Sequence, residues 1–183
     1  MVQTLESSVM ELIPHPAFPP RHVTRIFASV SQKDPRWLQA RWRVEGAGAI
    51  VVPVFAGRRR ADGLWRTTCF ELFCGDGPSY AEFNFAPSEA WAAYDFDGYR
   101  EGMRDRPVSP QPTISWRGGR SSLAILDVAI PRAAILSGAL AISAVIEEEG
   151  GAKSFWALAH PPGDPDFHHR TCFAATLAPP VSP

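Results

Sequence analysis

A chain of 183 residues, 45% hydrophobic and 20% charged, has enough apolar side chain to bury a core without staples and too little polarity to stay disordered. Its formal net charge of −1 excludes a global field favouring nucleic acid or an anionic membrane. No stretch approaches the ~18 consecutive apolar residues of a spanning helix. Met1 to Ile13 carries Glu6 and Glu11, no basic residue and no apolar run. It does not read as a secretory leader, and a cytoplasmic protein is expected.

Prolines (18) and glycines (14) are spread along the whole chain and form no single linker, the punctuation of many short strands joined by turns. One domain is expected over residues 1–183, with a core over about 23–177, an extended start over 1–22 and a loose tail over 178–183. Strand character begins at Val23–Gln32. Trp37–Glu45 follows, where Leu38, Ala40, Trp42 and Val44 alternate with Gln39, Arg41, Arg43 and Glu45. After a turn at Gly46–Gly48 come Ile50–Phe55, Thr67–Cys74, Ser79–Phe85 and Trp91–Phe96. Thr113–Arg117, Ser122–Ile130, Leu140–Glu147, Ser154–His160 and Thr171–Leu177 complete the series. Helix is confined to single turns, at Arg132–Leu136 after Pro131 and at Tyr99–Met103. No βαβ rhythm is present. The expected fold is all-β, an antiparallel two-sheet β-sandwich with less than about a fifth of its residues in helix. Arg58-Arg59-Arg60 reads as an exposed hairpin tip, and Cys69, Cys74 and Cys172 as free, buried thiols with neither zinc nor redox spacing.

The centre of the chain carries the chemistry. In Tyr80–Phe85, Ala81, Phe83 and Phe85 share one face and Tyr80, Glu82 and Asn84 the other. In the preceding strand Phe70, Leu72 and Cys74 lie opposite Glu71. A hairpin with apolar sides together lines Glu71, Tyr80, Glu82 and Asn84 on one sheet face, with Trp91 or Tyr94 joining them according to register. Carboxylates and an amide beside aromatic rings suit a sugar, whose hydroxyls take the polar groups and whose C–H faces stack on rings. The same pattern fits a solvated sheet face.

Trp65 followed by Glu71 in Cys-Phe-Glu-Leu-Phe resembles family 9 carbohydrate-binding modules and the wider DOMON-like superfamily. Ile130-Pro131, Leu136, Gly138 and Ile142 resemble that family's turn and strand. Pro165-Asp166-Phe167-His168 with Cys172-Phe173 resembles its carboxy-terminal motif. Glu82 to Arg100, with Glu-Phe-Asn-Phe-Ala-Pro-Ser, Trp-Ala-Ala-Tyr and Tyr-Arg, is similar to a bacterial DOMON-like group. The resemblance implies a jelly-roll sandwich whose sugar sits between two tryptophans and is held by a glutamate. Trp65 matches the first tryptophan and Glu71 the glutamate. Where the second tryptophan belongs, this chain offers Phe167, His168 and His169, and Trp156 stands one strand earlier. Arg66 or Arg100 would add a charged donor, and alternation leaves that choice open.

Three functions follow. The leading one is a non-catalytic ligand-binding sandwich for a carbohydrate or similar small molecule, with no cofactor, no nucleic acid and no membrane. Its residues are Trp65, Arg66, Glu71, Tyr80, Glu82, Asn84, Trp91, Tyr94, Arg100 and His168. The second is an enzyme, using Glu71 and Glu82 as paired carboxyls or the cluster from His160 to His169. Within that cluster His160, Asp166, His168 and His169 are competent metal ligands, while its prolines suit a rigid connector. The third, implied by the DOMON resemblance, is a haem domain using Met103 with His160, His168 or His169.

Overall fold

The computed structural model describes residues 9–55, 57–118 and 121–177. Among them run thirteen strands: β1 (Val9–Pro14), β2 (Arg25–Asp34), β3 (Trp37–Glu45), β4 (Arg59–Arg60), β5 (Cys69–Cys74), β6 (Tyr80–Phe85), β7 (Ala90–Phe96), β8 (Arg104–Asp105), β9 (Thr113–Arg117), β10 (Leu123–Pro131), β11 (Gly138–Glu148), β12 (Ala152–Ala157) and β13 (Ala175–Leu177). Period-two patterning explains them. In β3, Leu38, Ala40, Trp42 and Val44 are buried, and Gln39, Arg41 and Arg43 are exposed. Helix is limited to four single 3-10 turns among the described residues, one of them Arg132–Ala134 directly after Pro131. No helix among the described residues is long and apolar enough to cross a membrane.

The expected pair of separate sheets is corrected. One hydrogen-bonded path runs β4-β7-β6-β5-β11-β12-β1-β2-β3-β10-β9, with β8 on β7 and β13 on β11, giving a single curled, open sheet. The join is β1, which lies within the expected extended start. Val9–Leu12 pair with β2, and Ile13 and Pro14 pair with Ala157 and Trp156 of β12. Pro14 ends the strand and the prolines behind it mask the signal, since proline donates nothing to a ladder. The two halves meet through their inner faces. Trp42 of β3 lies 5.7 Å from Phe70 of β5 and 6.4 Å from Phe85 of β6, and Phe70 lies 5.9 Å from Trp116 of β9. Trp42 is fully buried, so truncation to Ala would cost about 3–5 kcal/mol.

Three further expectations change. Ile50–Phe55 is not a strand: it holds one bridge, Ile50 to Glu148, and Val54 and Phe55 are exposed because no neighbouring strand takes up their backbone. Tyr99–Met103 is a turn closed by the Gly98–Glu101 bridge. Arg60 is no hairpin tip. It donates to the Ala93 carbonyl at 2.9 Å, pairs with Asp105 at 3.1 Å and lies 4.8 Å over the Trp91 ring, while β4 runs parallel to β7. Cys69, Cys74 and Cys172 are free and buried. The expected tail, 178–183, lies outside the described residues.

The outward face of β5, β6, β7, β11 and β12 is not left to solvent. Phe73, Tyr80, Tyr94, Phe96 and Val145 form a second apolar cluster with Phe167 and Cys172, which the segment after β12 lays across the sheet. This second layer builds the site.

Candidate functional site

Register brings the acids together. In the β5–β6 pair Glu71 stands opposite Asn84 and Phe73 opposite Glu82; Ser143 of β11 flanks Glu71 on its other side. In the β6–β7 pair Glu82 faces Tyr94 and Tyr80 faces Phe96. Glu71, Tyr80, Glu82, Asn84 and Tyr94 therefore share one sheet face, as alternation predicts. Trp91 is one position out of phase. It points into the main core and donates its indole N–H to Gln111 at 3.3 Å, so it is removed from the site.

Loops raise walls around this floor. Gly63, at φ 70°, adopts the left-handed backbone that turns the chain into Leu64–Arg66 and sets Trp65 on the rim, 6.3 Å edge-on from Tyr94. The β7–β8 connection supplies Arg100 and Met103, and the segment before β13 supplies Pro165, Phe167 and His168. With Phe96, Val145 and Phe155 they enclose a cavity of about 320 Å³ whose floor is Glu71 and Glu82. Trp65 is 39% exposed, whereas Glu71 and Glu82 are 3% and 5% exposed.

Asp166 locks the two walls. It accepts from the Arg100 guanidinium at 2.8 Å, from the Tyr99 hydroxyl and from the His168 backbone N–H at 3.1 Å. Arg100 has φ 57°, a left-handed conformation that costs a side-chain-bearing residue roughly 1–2 kcal/mol. Its backbone N–H donates to the Tyr80 hydroxyl at 3.2 Å. That hydroxyl is 2.7 Å from His168 Nδ1. The other ring nitrogen, Nε2, faces Glu82 Oε2 at 3.7 Å, beyond hydrogen-bond range.

The acids are held away from their ordinary titration. Burial, then the charge of Glu82, pushes the Glu71 carboxyl well up, against one long bond from Ser143 Oγ at 3.4 Å. The charge of Arg100 lowers it as well. Burial pushes Glu82 up to about 7, opposed by a 2.8 Å bond from Asn84 Nδ2 and by the charge of Arg100. Burial and Arg100 bring His168 down to about 4. Glu82 and His168 approach as an ion pair would, but burial disfavours the charged form of each. Asn84 Oδ1 is buried and has no partner.

The remaining candidates scatter. Arg66 is exposed and does not line the cavity. His160 binds the Ile13 carbonyl at 2.8 Å and packs on His15, and His169 accepts from the Thr171 N–H at 3.2 Å. Asp166 is committed to its loop locks. Among the described residues no three His, Cys, Asp or Glu gather to hold a metal, because each of these side chains serves a different backbone segment. Met103 and His168 both line the cavity. Haem ligation does not fit: Nδ1 of His168 is taken by Tyr80, and Nε2 looks at a carboxyl.

Sequence reasoning missed Phe96, Val145 and Phe155. Phe96 was within reach, being two residues from Tyr94 on the same face; Val145 and Phe155 depend on the β11 and β12 pairings, which no local pattern specifies. A larger groove, about 560 Å³, crosses the outer face of β2, β3, β10 and β9. Its lining has no aromatic ring, and Arg41 and Arg117 both neutralise its one acid, Asp127, at 2.5 Å.

No family model matches the chain, and no curated protein matches it in sequence. A solved structure does resemble it. A protein from Bacteroides uniformis, described as a putative carbohydrate-binding protein, superposes with a TM-score of 0.60 over 93% of this chain and 85% of its own, at 14% identity. At that identity the likeness is one of fold: an all-β architecture with almost no helix.

Proposed function

We propose that this protein binds a saccharide, without transforming it, in the cavity floored by Glu71 and Glu82. The observation that carries the reading is two almost fully buried carboxyls facing a cavity with a half-exposed tryptophan on its rim. Ring stacking on Trp65 and hydroxyl bonds to the acids are the two halves of sugar recognition. The resemblance of Trp65 and Glu71 to the site pair of family 9 modules belongs to the same proposal. The description of the structural neighbour lends support. In the loop before the final strand, where the resemblance places a second tryptophan, this chain has Phe167, His168 and His169, of which Phe167 and His168 line the cavity. Three unpaired thiols support a reducing, cytoplasmic setting.

Calorimetric titration with a panel of hexoses and their disaccharides tests this. At least one should bind with heat and quench Trp65 fluorescence, and should be recovered intact. Binding of no saccharide would sink the proposal. Hydrolysis of a disaccharide would replace it with a glycosidase using the same two carboxyls.

A further inference from the structure

We infer that the saccharide held here carries a protonated amine, whose ammonium group sits against Glu71 and Glu82. The inference rests on the binding reading above and names the ligand class for the same cavity.

The floor is rich in acceptors and poor in donors. Glu71 receives only the long Ser143 bond, and Glu82 receives only Asn84 Nδ2, at Oε1. Glu82 Oε2 has no hydrogen bond, and it lies on the cavity beside His168, 3.7 Å away. Asn84 Oδ1, on the same sheet face and fully buried, has no partner either. A buried carboxyl is expensive unless it is paired or stays protonated, and two side by side compound the penalty. Arg100, the only arginine or lysine among the described residues that line the cavity, lowers both acids through its charge, but it is bound to Asp166 at 2.8 Å and makes no hydrogen bond to either glutamate.

A sugar hydroxyl brings one hydrogen and no charge. An ammonium brings three donors and the positive charge that the floor lacks. The surroundings suit it as well, since Trp65, Phe96, Phe155 and Phe167 place four aromatic rings around the cavity, and a cation is attracted to ring faces. An N-acetyl group would remove the charge and two of the donors.

The test uses matched pairs at pH 7: glucose with glucosamine, galactose with galactosamine, mannose with mannosamine, and the N-acetyl form of each. In at least one pair the amino sugar should bind roughly ten- to a hundred-fold more tightly than its neutral parent, the range of one added charge-assisted bond. The N-acetyl form should lose that gain. In Glu82→Gln the ratio of amino to neutral affinity should fall toward one, with retained thermal unfolding showing that the variant is folded. Titration in two buffers of different ionisation heat should show protons released as the ammonium displaces them from the acids. Neutral parents that bind as tightly as their amino sugars would overturn the inference and leave the saccharide reading standing. Binding of neither kind would overturn both.

Discussion

The Tyr80 hydroxyl lies 2.7 Å from His168 Nδ1, a bond between residues 88 apart in sequence that ties the sheet floor to the segment lying across it. The same oxygen accepts from the Arg100 N–H, so one phenol fixes both loop walls. Tyr80→Phe removes this junction and leaves a half-buried imidazole nitrogen and a backbone donor unsatisfied. A stability loss of about 1–3 kcal/mol is expected in urea unfolding, together with weakened ligand binding. An unchanged midpoint would show that the loops hold without it.

Protonation should tilt stability toward acid. Glu71 from β5, Tyr94 from β7, Asn84 beside it in β6, and Arg100 and His168 from the loops all surround Glu82. Raised to about 7 from 4.5, Glu82 keeps its proton in the folded state after the unfolded chain has lost it. Its contribution is present below pH 4.5 and is lost as pH rises through 7, on the order of 3 kcal/mol. His168, brought down from 6.5 to about 4, acts oppositely: its contribution is present above 6.5 and is lost as pH falls through 4. The two slopes offset each other between 4.5 and 6.5. Above 6.5 only the acids remain, so stability should fall toward pH 8. Glu82→Gln should gain steadily on the wild type from pH 4.5 to 7 and level off above 7, and a constant difference between pH 4.5 and 7 would contradict this.

Trp65 separates binding from folding. Its ring is 39% exposed and meets Tyr94 edge-on. Trp65→Ala should weaken saccharide binding by roughly tenfold, through loss of an aromatic stacking surface worth about 1 kcal/mol or more, while moving the unfolding midpoint little. Calorimetry beside thermal unfolding reads both. A large drop in midpoint would mark Trp65 as a structural residue instead.

The thiols should be silent in the native protein. Cys69, Cys74 and Cys172 are buried, and burial pushes Cys69 well up, Cys74 up to about 11 and Cys172 up to about 12. A thiol reagent at pH 8 should label none within the time in which urea-unfolded protein is labelled fully. Rapid native labelling of any one would expose a breathing segment, with the Cys172 turn the first place to look.

The floor of the site was legible because its information is local. Alternation in Tyr80–Phe85 fixes which side chains share a face, and the short turn to β5 fixes their partner. That is why Glu71, Glu82 and Tyr94 coincide while Trp91, one step out of phase, does not. The walls depend on distant pairings. Phe155 reaches the cavity only because β12 pairs with β11, and Asp166 meets Arg100 only because two loops cross. The polar pattern of the sheet face also concealed its burial, since nothing local announces that a later segment will cover it. β1 was lost for a related reason: six residues ending in proline gain a role only when partners on both sides are known.

That strand carries a kinetic consequence. Ile13 pairs with Ala157 and Pro14 with Trp156, so the seam between the halves closes a loop holding almost every other strand. The hairpins β2–β3, β5–β6, β6–β7 and β9–β10 each need only nearby chain, whereas the seam must wait for the largest loop closure in the molecule. The two halves should therefore gain order first and be latched together last. Ala157→Gly, at the fully buried latch, should speed unfolding while leaving the refolding rate almost unchanged, as a chevron plot would record. Slowed refolding would instead make the seam part of the folding nucleus.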